Sequence, residues 1–245
     1  MVSKVIAALS RKGGVGKSTV LSSVAYALRK ETHWRVVYVD ATADALGSDM
    51  LAPGCRVEFG TYTFLSGVDA IQMCTVEADN AAVDTLPPGP IPRGAQLRGD
   101  RLRDLISLLA ADYNIIFLDL PGTDEAHSDV IRAAIDAADI YFLVAEPATL
   151  NLLYNLKQRL PQSKPVVAVL NKHLDDMPGK HEIERIGTSK FGKFAYVIPL
   201  EGPVHNAIIK HELPAKLQRV KFVEVIDHIG ADIQRLILDV RPPSK

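Results

Sequence analysis

The stretch Ser10-Arg-Lys-Gly-Gly-Val-Gly-Lys-Ser-Thr19 decides how the chain is read. It follows the apolar run Val5–Leu9 and opens a helical pattern over Lys17–Lys30, which gives the order strand, loop, helix. A loop that wraps phosphates needs backbone amides turned inward. Gly13, Gly14 and Gly16, with Val15 between them, permit the torsions and the close approach. A helix starting at Lys17 adds free N–H groups and its dipole. Lys17 suits the β- and γ-phosphates, the Ser18 hydroxyl suits Mg²⁺, and Thr19 completes the nucleotide-binding run.

Outward from this loop, β-branched runs recur at Arg35–Asp40, Ile115–Asp119, Ile140–Ala145, Val166–Leu170 and Ala195–Ile198. Their near-continuous apolar character belongs to a parallel sheet covered on both faces. Helical patterns alternate with them at Arg101–Ala110, Asp124–Ala137, Thr149–Arg159, Val204–Lys210 and Phe222–Leu238. The alternation predicts an α/β fold, a doubly wound, mostly parallel sheet with helices on both faces, in one domain over residues 1–245. Cys55–Gly99 is the least regular part, and the prolines of Leu86–Pro92 predict an extended loop.

Of 245 residues, 47% are hydrophobic and 23% charged, which excludes a wholly disordered chain. The net charge of -1 predicts no global attraction to nucleic acid. No apolar run is long enough to cross a bilayer, and Val5–Leu9 is too short for a signal peptide. Cys55 and Cys74 stand in no CxxC or CxC spacing. Neither a metal site nor a disulfide is expected, and the chain reads as a cytoplasmic protein with both thiols buried and reduced.

An ordinary phosphate loop would carry glycine at position 11, where this chain has Arg11, and Lys12 precedes Gly-Gly-Val-Gly-Lys-Ser. This resembles the deviant Walker A box of the ParA/MinD family of ATPases, x-K-G-G-x-x-K-[ST]. The resemblance implies ATP, Mg²⁺ and a homodimer that sandwiches nucleotide, with Lys12 reaching the partner's phosphates. Arg11 leans toward ParA-type members, because MinD-type members usually have glycine before that lysine. Asp40, ending the second strand, resembles the first switch aspartate, and Asp119-Leu-Pro-Gly122 resembles the second switch. By that likeness Lys12, Lys17, Asp40, Asp44 and Asp119 form the catalytic set, and Ser18, Asp40 and Asp119 hold the metal. The Gly122 amide approaches the γ-phosphate, Asn171 reads adenine, and Pro199 and Glu201 belong to a loop closing over base and ribose. An aspartate at a strand end also suits a helix cap, and an asparagine suits a turn.

The chain departs from the family at Asp40-Ala-Thr42-Ala-Asp44, where threonine replaces the usual second aspartate, which orients or activates the attacking water. Hydrolysis is expected to be slow, with Asp44 a substitute or a plain surface residue. Segment Gly179–Phe222 concentrates cations, among them Lys190, Lys193, Lys210, Lys216, Arg219 and Lys221. They make either a DNA-backbone surface or a solvated face. The acidic residues of Phe222–Leu238 argue for core packing over a membrane helix. The reading is a ParA-like switch that binds DNA non-specifically and has a hydrolysis-stimulating adaptor protein. The alternatives are a MinD-like positioning ATPase and a P-loop metabolic or metallocentre-maturation enzyme.

Overall fold

The computed structural model describes residues 2–75, 82–122, 128–174 and 195–239. Among them lie strands β1 (Lys4–Leu9), β2 (Val36–Asp40), β3 (Asp84–Leu86), β4 (Ile115–Asp119), β5 (Ile140–Ala145), β6 (Val166–His173) and β7 (Ala195–Pro199). The helices are α1 (Lys17–Glu31), α2 (Leu46–Leu51), α3 (Thr61–Leu65), α4 (Gly99–Leu109), α5 (Ser128–Ala137), α6 (Leu150–Gln158), α7 (Gly202–Ile209) and α8 (Lys221–Asp239). The strands form one sheet in the order β3-β2-β4-β1-β5-β6-β7, every ladder parallel. The expected doubly wound α/β architecture is borne out.

The unbroken apolar runs are explained by burial on both faces. Val5, Ala7 and Leu9 of β1 enter one core with α4 and α5, while Ile6 and Ala8 enter the other with α1 and α8. The same parity puts Ile116 and Leu118 on the first face, and Ile115 and Phe117 on the second. In α8, Phe222, Ile226, Ile229, Ile233 and Ile237 are buried at helical spacing, and Gly230 packs beside Ala27 and Leu28 of α1. This helix is core, as its sequence indicates. No helix among the described residues is long and apolar enough to cross a membrane.

Strand β1 lies between β4 and β5, where the winding changes sides. Sheets of this kind bind ligands in the crevice outside the carboxyl ends at that point. The loop after β1 opens there.

The irregular region holds more structure than its sequence announces. Helices α2 and α3 are too short for a periodic signal, and β3 is three residues long. Thr61 and Tyr62 of α3 donate backbone N–H bonds of 2.9 and 2.8 Å to Pro87 and Pro88, which docks the proline loop. Cys55 and Cys74 form a disulfide, which corrects the expectation of reduced thiols. Cys74 exchanges two 2.8 Å backbone bonds with Thr85 of β3. Gln72 bonds to Glu58 and Phe59 close by, and the two cysteine Cα atoms lie 6.3 Å apart, within bonding reach. Cys55 is half-buried and Cys74 buried.

Gly60 is the tightest contact in this region. A Cβ there would stand 2.4 Å from the Pro87 carbonyl oxygen and 2.6 Å from the Gly89 nitrogen, both backbone atoms. Gly60→Ala should therefore lower unfolding free energy by about 1–3 kcal/mol in urea titration. Gly202→Ala, in the first turn of α7 with open space around it, should be neutral or slightly stabilising.

Candidate functional site

A cleft of about 490 Å³ opens at the carboxyl ends of the strands. Lys12, Gly13, Gly14, Val15, Gly16, Lys17, Ser18 and Thr19 line it, with Thr42, Asp44, Gly122, Asn171, Pro199 and Glu201 on the other walls. The fold thus gathers the residues that the sequence assigns to nucleotide, apart from Asp40 and Asp119, which lie fully buried behind the wall.

The loop has the conformation its glycines suggest. Gly14 and Gly16 have φ of +78° and +87°, and a Cβ on Gly13 or Gly14 would meet nothing within 4 Å. Gly16 is needed twice over, since a Cβ there would stand 2.2 Å from Asn171 Nδ2. Helix α1 begins with no side-chain cap and no acid in its first turn, which leaves its N-terminal amides to an anion.

Lys17 points inward and pairs with Oδ1 of Asp119 at the end of β4. The pair is buried on both sides. Oδ2 of Asp119 accepts a 2.6 Å bond from the Tyr38 hydroxyl. Lys12 is exposed at the rim, and its ammonium has no hydrogen-bond or ion-pair partner among the described residues.

Asp40 is saturated by its own loop. Oδ1 accepts from the Thr42 amide (2.9 Å) and hydroxyl (2.6 Å), and Oδ2 from the Ser48 amide and hydroxyl, both at 2.9 Å. Burial first, and then the charge of Asp119, push its carboxyl up to about 6 against the opposing hydrogen bonds. The Thr42 hydroxyl also stands 2.9 Å from Oδ1 of Asp44, an exposed carboxylate on the cleft wall.

On the opposite wall, Asn171 donates from Nδ2 to the Val15 carbonyl at 2.9 Å. Lys172, with φ of +57°, bridges the Gly14 carbonyl (2.5 Å) and Oε1 of Glu146 (2.8 Å). The Glu201 carboxylate caps α8, accepting the Lys221 and Phe222 amides at 3.1 and 2.8 Å. It therefore reaches the cleft as wall, with both oxygens engaged. Tyr38, Ser48, Lys172 and Glu146 carry no assigned role in the sequence. Tyr38 reads as one more apolar residue of β2, and Ser48 lies in a helix too short to detect.

Of the basic residues, Lys210, Lys216, Arg219 and Lys221 are exposed between α7 and the start of α8. The Lys216 ammonium lies 5.5 Å from the Tyr26 ring centroid. Lys190 and Lys193 lie outside the described residues.

The donor set suits Mg²⁺ held jointly with a ligand. Ser18 and Asp119 offer hard oxygens, whereas Asp40, expected among the metal ligands, has both oxygens engaged by Thr42 and Ser48. No group of three His, Cys, Asp or Glu among the described residues could cage a metal alone.

The raised Asp40 gives a pH test. The folded state binds this proton more tightly than the unfolded chain, whose carboxyl titrates near 3.8. Its contribution to stability is complete below about pH 4 and lost as pH rises through about 6. Unfolding free energies should show wild type losing about 3 kcal/mol relative to Asp40→Asn across that window.

A family model for the CobQ/CobB/MinD/ParA nucleotide binding domain matches residues 6–215. The structure is similar to that of the septum site-determining protein MinD complexed with Mg-ADP from Pyrococcus horikoshii OT3. The TM-score is 0.76 at 19% identity, covering 99% of this chain and 100% of that one. A ParA family ATPase from Chlorobium tepidum TLS gives a TM-score of 0.69 at 20% identity, covering 94% and 99%. The pNOB8 ParA bound to nonspecific DNA gives 0.63 at 15% identity, covering 98% and 100%. At these identities the likeness is one of fold. No curated protein matches the chain. The family match spans most of the sequence, phosphate loop included, and the chain belongs to the CobQ/CobB/MinD/ParA family of nucleotide-binding domains.

Proposed function

We propose that the protein is an ATP-dependent dimerising switch, ParA-like, that hydrolyses ATP slowly and binds DNA without sequence preference. The observation that carries this reading is the division of labour between two lysines of one loop. Lys17 is buried against Asp119 on the cleft floor, while Lys12 stands at the open rim without a partner among the described residues. Lys17 serves substrate bound in its own chain; Lys12 is presented to a second copy facing the cleft.

On this reading the Gly13–Gly16 backbone and the uncapped start of α1 hold the phosphates of ATP. Ser18 and Asp119 would hold Mg²⁺, which would neutralise charge on the substrate's phosphates. Lys17 exchanges Asp119 for the β- and γ-phosphates. Asp40 fixes the Thr42–Ser48 loop through its four hydrogen bonds. Thr42 lacks the carboxylate usual at its position, so the exposed Asp44 is the group left to orient water, and turnover is slow. Asn171 and the wall of Pro199 and Glu201 bound the base side. Lys210, Lys216, Arg219 and Lys221, with Lys190 and Lys193 of the same basic segment, supply the phosphate-backbone contacts, and an adaptor protein accelerates release. Such a protein is cytoplasmic and nucleoid-associated.

Sedimentation with ATP and Mg²⁺ tests the assignment. Wild type should dimerise; Lys17→Ala should lose ATP binding; Lys12→Ala should bind ATP as a monomer and fail to dimerise. An intact ATP-bound dimer of Lys12→Ala would remove that lysine from the interface. DNA affinity of the dimer should fall steeply with salt, and charge reversal at Lys216 and Arg219 should weaken it uniformly across sequences. A dimer with no DNA affinity at low salt would favour a MinD-like positioning ATPase.

A further inference from the structure

Tyr38 is a fully buried phenol in a strand whose other residues are three valines and Asp40. Its place follows from sheet register. Asp40 pairs with Asp119, and Tyr38 with Phe117, across the parallel β2–β4 ladder. Residues two apart on a strand share a face, and a diagonal neighbour lies within reach of a long aromatic side chain. Tyr38 therefore stands on the face of Asp40 and Asp119, and its hydroxyl donates to Oδ2 of Asp119 at 2.6 Å. The other oxygen, Oδ1, faces Lys17.

The far side of that hydroxyl is closed by α2. A Cβ built on Gly47 would stand 1.9 Å from the Tyr38 hydroxyl oxygen, so only glycine leaves the phenol room to reach the carboxylate. Gly47 precedes Ser48, which donates twice to Asp40. The phenol is thus wedged between α2 and the aspartate at the end of β4.

We infer that Tyr38 is a positioning residue for Asp119: it fixes one carboxylate oxygen so that the other stays turned toward Lys17 and, once Lys17 moves to the phosphates, toward Mg²⁺. This rests on the reading of Asp119 as the metal-side carboxylate. When Lys17 leaves, a fully buried carboxylate loses its counterion, and a hydrogen bond to a charged group is then worth most. The Tyr38 bond persists through the exchange because it engages the opposite oxygen.

The test is the Mg²⁺ concentration at half-maximal binding of a fluorescent ATP analogue. Tyr38→Phe keeps the ring and should raise that midpoint about tenfold. Gly47→Ala keeps the phenol but displaces it, and should raise the midpoint in the same direction. Tyr62→Phe removes another buried phenol, which donates to the Ala41 carbonyl at 2.9 Å, and should leave the midpoint within about twofold. In an Asp119→Asn background, Tyr38→Phe should add nothing, because it acts through that carboxylate. A midpoint in Tyr38→Phe equal to that of Tyr62→Phe, beside a raised one in Asp119→Asn, overturns the role of Tyr38 alone. The same holds if Tyr38→Phe acts undiminished in the Asp119→Asn background. An unchanged midpoint in Asp119→Asn overturns the metal-side reading of Asp119 and the role of Tyr38 with it.

Discussion

The ion pair between Lys17 and Asp119 joins the start of α1 to the end of β4, two elements far apart in sequence and adjacent at the centre of the sheet. Both partners are shielded from water, and two buried charges are tolerable only because each satisfies the other and Tyr38 takes the remaining carboxylate oxygen. The parallel order β2-β4-β1 fixes this meeting, because Ala8 of β1 and Asp40 of β2 flank Asp119 in register. Strand parity then puts Tyr38, Asp40 and Asp119 on the face that carries α1. The glycine loop, the uncapped helix start and the cleft are arranged around that buried pair.

The same pair limits the chemistry. A lysine already bonded to a buried carboxylate reaches phosphate only by giving that carboxylate up. The compensation must come from new charge near Asp119, which is what a divalent cation supplies. Opposite, the Lys172–Glu146 bridge and the Asn171 amide hold the carbonyls of Gly14 and Val15 and so stiffen the loop from outside. The site is built as two walls, one tied to the segments that follow β2 and β4, the other to the end of β6.

Much of this is legible in the chain itself. The phosphate loop announces itself because its glycines, lysine and serine each meet a separate demand of phosphate binding at fixed spacing. The strands Ile115–Asp119 and Ile140–Ala145 match their apolar runs residue for residue, since burial on both faces leaves no polar interruption. What stays hidden is what depends on partners distant in sequence. Glu201 lies at a loop that lines the cleft, yet its carboxylate caps a helix twenty residues on. Tyr38 is indistinguishable from core until the β2–β4 register places it beside Asp119. Cys55 and Cys74 carry no spacing signal, and their segments meet through the hydrogen bonds of Glu58 and Phe59 with Gln72, distant in sequence.

Asp119 holds Lys17 in the free protein and, on the proposed function, must release it before phosphate is bound. The most direct measurement is calorimetric ATP affinity of Asp119→Asn against wild type with Mg²⁺ removed by chelation. Losing the carboxylate frees Lys17 and removes a negative charge beside the loop, so the variant should bind ATP more tightly than wild type under these conditions. Equal or weaker metal-free binding in Asp119→Asn would contradict the account.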